Sequence, residues 1–181
     1  MSAIFMDPLP PNTGVIFMEP VTGRDGVIYM DQETPAGSTA PFVYLGTYQF
    51  SLLQSILVTE WVSAPGITSN CARVIGLPAN TIEVKIVPHG GYQIGFNGVP
   101  IGYCVGIEFK TDIGFLRMMK DDNNNRVPDQ FATSGEATIY WMGLGEQIIM
   151  VGPSKLLGWG CGDSILTDND SPAISFRVFT R

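Results

Sequence analysis

Apolar and polar positions alternate along this chain in short runs, and at its start the runs repeat. Ala3-Ile4-Phe5-Met6 is followed by Asp7-Pro8, Val15-Ile16-Phe17-Met18 by Glu19-Pro20, and Val27-Ile28-Tyr29-Met30 by Asp31-Gln32, at an even spacing of twelve residues. Each unit reads as a short β-run closed by a turn, with Gly14 and Gly26 ending the first two. One such unit cannot bury its own apolar face, so three in series need something to stack on. An even period keeps Ile4, Ile16 and Ile28 on one face of the runs with Met6, Met18 and Met30, and sets Phe5, Phe17 and Tyr29 on the other. These side chains are the expected interface of an extended N-terminal arm, residues 1–38, that docks on neighbouring subunits.

Beyond the arm the pattern changes. Gln32 to Pro41 is rich in Thr, Pro, Gly, Ser and Ala and reads as a linker. Tyr48 to Val62 fits period two, and it also fits a helical spacing through Phe50, Leu53, Leu57 and Trp61. Its β-branched and aromatic content predicts a strand. Thr81 to Val87 alternates, with Ile82, Val84 and Ile86 inward and Glu83 and Lys85 outward, until Pro88-His89-Gly90-Gly91 breaks it. Tyr92 to Phe96 runs into Asn97-Gly98, a two-residue hairpin signal, and Val99 to Lys110 returns as a long strand kinked at Gly102 and Gly106. Gly135 to Met142 and Gln147 to Val151 read as a second hairpin around Gly143-Leu144-Gly145, and Ala173 to Phe179 as the closing strand. The expected architecture is all-β: an antiparallel β-sandwich or jelly-roll-like head over residues 39–181, behind an arm of three twelve-residue β-turn repeats.

Composition narrows the function. The chain has 181 residues, enough for one compact domain and an appendage, and only 15% are charged against 45% hydrophobic. That balance leaves apolar surface for partners. A formal charge of −7 argues against a nucleic-acid backbone as partner, because phosphate contacts need clustered Lys and Arg. The arm is acidic: Asp7, Glu19, Asp25, Asp31 and Glu33 stand against Arg24, the one basic residue before Arg73. The N-terminus lacks a positively charged region before its apolar runs, and no stretch has the length of a transmembrane helix. Synthesis in the cytoplasm and no membrane insertion are the expectations.

Candidate chemistry is sparse. Asp121, Asn123, Asn125 and Asp129 place oxygen donors at positions 1, 3, 5 and 9 of a loop, the order used by Ca²⁺. The same loop is rich in turn formers, and a solvated turn is the simpler reading. Arg117, Lys120 and Arg126 make it the most basic locality, open either to an acidic arm or to compensation by its own acids. Cys71, Cys104 and Cys161 leave an odd thiol; Cys104 and Cys161 pair only in an oxidising compartment, and three small buried thiols are the simpler reading. His89 is the one histidine and has no patterned acid or nucleophile nearby, so no enzyme is expected. Tyr103, Trp141 and Trp159 are candidates for a sugar-stacking platform, with core packing as the alternative.

Three resemblances follow from these residues. Asp121 to Asp129, ending in Val127-Pro128-Asp129, resembles the Asp/Asn-rich calcium repeats of extracellular matrix proteins, although Arg126 stands where the pattern has glycine and Ala132 where a bidentate Glu belongs. Gly102-Tyr103-Cys104-Val105-Gly106, Tyr140-Trp141-Met142-Gly143 and Trp159-Gly160-Cys161 resemble F17-type fimbrial lectin domains, which implies a carbohydrate-binding adhesin at the cell surface. In overall character, an acidic, low-charge β-protein with a repeat arm resembles bacteriophage virion proteins of the capsid-decoration, tail, collar or fibre-base type. That likeness implies a homo-oligomer in a virion, assembled with other structural proteins after synthesis in the host cytoplasm and needing no cofactor.

Overall fold

The structure, a computed structural model, describes residues 39–67, 71–95, 102–163 and 165–181. The arm repeats, with Ile4, Phe5, Met6, Ile16, Phe17, Met18, Ile28, Tyr29 and Met30, and the Asn97-Gly98 turn lie outside the described residues. In chain order the elements are β1 (Val43–Ser51), β2 (Ile56–Leu57), β3 (Arg73–Gly76), β4 (Glu83–Gly91), β5 (Gln93–Gly95), β6 (Gly102–Cys104), β7 (Gly106–Lys110), β8 (Phe115–Met119), β9 (Gln130–Phe131), α1 (Ser134–Gly143), β10 (Gln147–Met150), β11 (Leu156–Gly160), β12 (Gly162–Asp163) and β13 (Ala173–Thr180).

The head is all-β, built on two four-stranded antiparallel sheets. The first runs β1-β13-β4-β10 and the second β3-β11-β7-β8. A three-stranded sheet, β5-β6-β9, and a short parallel pair, β2-β12, complete it. Strict alternation makes β13 a central strand: Ile174, Phe176, Val178 and Thr180 are buried while Arg177 between them is exposed. From this strand Phe176 reaches across to Phe109 of β7 at 4.9 Å and Trp159 of β11 at 5.3 Å, both edge-on. Tyr48 of β1 meets Trp159 at 5.3 Å in the same layer. Edge-to-face rings of this kind add about 0.5–1.5 kcal/mol beyond the area they bury.

Several expectations fail in instructive ways. The strand expected over 48–62 starts earlier and stops at Ser51, whose hydroxyl accepts from Leu53 N while Gln54 Oε1 accepts from Ser51 N. That reciprocal cap opens a 3-10 turn and ends the ladder. Glu83, expected outward, is buried in an ion pair with Arg181, while Ile82, expected inward, is 41% exposed beyond the end of the ladder. Pro88-His89-Gly90-Gly91 does not end β4. The pairing with β13 skips His89 as a bulge, and Gly91 carries the positive φ of +92° that follows. Because β10 pairs only with Glu83 to Ile86, Pro88 lies where β4 has a free side and needs no donor there. The long strand expected over 99–110 divides at Val105, sending β6 and β7 into different sheets.

Residues 135–142 form a helix, not a strand. Thr133 Oγ1 accepts from Glu136 N at 3.2 Å, and Glu136 Oε2 accepts from Thr133 N at 3.0 Å, the reciprocal box that starts helices. Four residues apart, Ala137 and Trp141 share the face that enters the core.

Candidate functional site

The backs of the two sheets differ. Behind the second sheet, Gly158 and Gly160 on β11 and Gly162 on the adjoining β12 recur with period two and form a bare stripe. Residues 58–67 and 71–72 lie along it as a strap. A Cβ at Gly160 would sit 2.7 Å from the Trp61 ring, one at Gly158 2.8 Å from Cys71 Sγ, and one at Gly162 3.2 Å from Val58. The stripe is therefore a seat for the strap, with Trp61 its most deeply set side chain at 2% exposure.

Around Trp61 the strap closes over a buried charged cluster. Glu108, on β7, is wholly enclosed and accepts from Trp61 Nε1, from Ser63 Oγ at 3.0 Å and from Arg117 Nε at 2.7 Å. Arg117, on β8, also bonds Asp121 at 3.3 Å, tying the cluster to the loop that carries the candidate calcium donors. Lys110 is enclosed too. Its Nζ has no hydrogen-bond partner and lies 3.8 Å from the centre of the Trp61 ring. Burial pulls the Lys110 amine below its ordinary value, with Cys71 and Glu108 opposing. The strap thus covers Glu108 and supplies two of its three donors, Trp61 and Ser63.

The loop at 121–129 turns its oxygens inward. Asp121 accepts from Asn125 N at 2.9 Å and Arg126 N at 3.1 Å, Asp129 from Asn123 Nδ2 at 2.9 Å and from Asp122 N, and Asn125 Oδ1 from Val127 N at 3.0 Å. Arg126, in the place of a glycine, holds a left-handed φ of +67°. Among the described residues no three metal-binding His, Cys, Asp or Glu side chains converge. The basic locality is largely compensated: Arg117 pairs with Glu108 and Asp121, Lys120 with Asp122 at 3.0 Å, and Arg126 has no ion pair among the described residues.

The sugar platform does not form. Trp141 and Trp159 are 0% and 1% exposed, so neither presents a face to a ligand. Trp141 instead donates to Ser175 O at 2.9 Å, fixing α1 to β13, and Tyr103 is half-buried against Tyr92 at 5.6 Å. The three thiols are free. Burial pushes Cys104 up to about 12 and Cys161 well above its ordinary value, so both stay protonated. His89 stands exposed at the bulge, far from a nucleophile's pattern. Two hollows stand out among the described residues: a void of about 20 Å³ between Cys104, Asp163 and Pro128, and a shallow dent of about 230 Å³ over Asn123, Asn125 and Asp129.

The first sheet keeps an uncovered flank. Tyr44, Phe179, Lys85 and Ile148 form a cross-strand row on its outer face, with Tyr44 55% and Ile148 50% exposed. At its border β1 is an edge strand of nine residues without a charge. Arg177, on β13, pairs in register with Thr47 and is exposed; Arg73, on β3, stacks its guanidinium over Tyr48 at 5.3 Å. Neither arginine has a carboxylate partner among the described residues. Sequence reasoning missed this edge, because which strand borders a sheet depends on pairing order.

The class the fold defines is an all-β protein of two facing antiparallel sheets. Comparison with known proteins finds no matching family, no matching curated protein and no matching solved structure.

Proposed function

We propose that the protein is a structural subunit of a homo-oligomeric assembly, of the kind that bacteriophage virions use for capsid decoration, tails or fibre bases, and that its N-terminal arm docks on neighbouring subunits. One observation carries the reading: a tandem set of apolar runs precedes a sandwich whose own first strand is uncharged and has no described neighbour on its outer side. Exposed runs of this composition and unpaired edges seek one another through backbone hydrogen bonds. The partners are further copies of the chain and other structural proteins of the particle. Its place is the virion, reached after synthesis in the host cytoplasm, and the role needs neither catalysis nor a cofactor. The carbohydrate-binding alternative loses its support with the burial of Trp141 and Trp159.

Burial in the arm, more than its charge, holds the assembly. Ile16→Asp removes one apolar anchor, worth roughly 1.5–3 kcal/mol, and adds a charge to a surface that must be desolvated. Glu19→Lys changes charge alone. At equal concentration, light scattering after size exclusion is expected to show a smaller assembled fraction for Ile16→Asp than for Glu19→Lys. A monomeric wild-type protein, or the reverse order of the variants, overturns this account.

A further inference from the structure

We propose that the open edge of β1 is the docking site for the arm of a second copy, one of whose apolar runs joins the first sheet as a fifth strand. The inference rests on the arm-mediated assembly proposed above and names the surface it uses.

Edges of natural sheets are usually blunted by lysines, prolines or a covering element. β1 has neither a charged residue nor a proline along Val43–Ser51, and no described element pairs with its outer side. Its one irregularity is a bulge between Tyr44 and Gly46, which leaves Gly46 to Ser51 as a regular ladder opposite β13. Six residues accommodate a run such as Val15-Ile16-Phe17-Met18 in full.

Charge selects the same partner. Arg177 and Arg73 flank this edge from the two sheets, exposed and without a carboxylate partner among the described residues. Every apolar run of the arm ends in an acid, Asp7, Glu19 or Asp31. A run lying along β1 brings that acid within reach of a guanidinium while its backbone completes the ladder. Reach favours a neighbour: an extended 38-residue arm spans on the order of 120 Å at about 3.3 Å per residue. Pro35 and Pro41 bias the connection toward extended backbone and away from a tight return to its own edge.

Hydrogen exchange on the full-length protein, read by mass spectrometry on the separated assembled and monomeric fractions, tests the site. The expected result is joint protection of residues 43–51 and of the arm runs in the assembled fraction only. With it, Arg177→Glu should weaken assembly about tenfold, while Arg126→Glu, on the distant loop, leaves it unchanged. Protected arm runs with unchanged exchange in β1 would mean that the arm docks elsewhere, refuting the site while sparing arm-mediated assembly. Protection of β1 alone would mean that two copies pair edge to edge, and protection of both in the monomer that the arm covers its own edge; either result refutes the proposal. Absence of any assembled fraction removes both readings.

Discussion

At the residue scale the decisive contrast is between Glu108 and Lys110, two enclosed charges on one strand. Glu108 is held by Trp61, Ser63 and Arg117, whereas Lys110 lies over the Trp61 ring with no hydrogen-bond partner among the described residues. A ring quadrupole attracts a cation, but it does not replace the water the amine has lost. Lys110 is therefore lowered from 10.5 by burial, and the sign of its effect follows. Where the unfolded chain binds a proton that the folded chain lacks, stability rises with pH. The contribution of Lys110 is complete above 10.5 and is lost as the pH falls through its folded value. Lys110→Met is expected to flatten the alkaline limb of stability against pH and to raise stability at neutral pH. Urea midpoints of the two proteins from neutral to alkaline pH check this; parallel curves would place the slope in another group. Nothing in the sequence marks Lys110 as enclosed, because Glu108 and Lys110 alternate with Ile107 and Phe109 as outward residues should. The strap that covers them lies more than forty residues earlier, with Trp61 and Glu108 separated by 47 positions.

At the scale of elements, the legible parts were those whose burial follows from local alternation. β13 and the core of β4 are such cases, since their neighbours on both sides are strands of the same sheet. Helix α1 was legible in principle through Thr133-x-x-Glu136, yet Thr138, Ile139, Tyr140 and Trp141 favour a strand by propensity alone. Capping and the burial of Trp141 outweigh that preference. The glycine stripe could be read as turns or bulges, and its purpose appears only with the strap in place. It yields a direct comparison. Gly160→Ala drives a Cβ into the Trp61 ring and is expected to cost about 1–3 kcal/mol. Gly143→Ala, with nothing within 4 Å of the new atom, should be neutral or stabilising by up to about 1 kcal/mol. Denaturant unfolding of both variants decides; equal effects would mean that the stripe does not seat the strap.

At the scale of the whole molecule, the two sheets are finished differently. Among the described residues, the second is covered behind by its own chain, and the first ends in an edge strand, β1, beside two arginines without a carboxylate partner. The basic loop could be read either as a landing place for an acidic arm or as charge compensated by its own acids, and Arg117 and Lys120 are in fact paired, with Glu108, Asp121 and Asp122. The strap also sets a clock. Its seat joins β7 to β11, strands some fifty positions apart in the chain and remote from Trp61, so no local interaction can prepare it. Closure is therefore expected to follow formation of the second sheet. The expected signature is late protection of the amides of Val58 and Gly66, which bond Asp163 O and Thr111 O, in pulse-labelled hydrogen exchange during refolding, a slow phase that Trp61→Phe alters while the faster phases persist. A slow phase that survives the substitution unchanged would assign the wait to some other step, and if it is altered, the last event in maturation of this head is the fastening of its own cover.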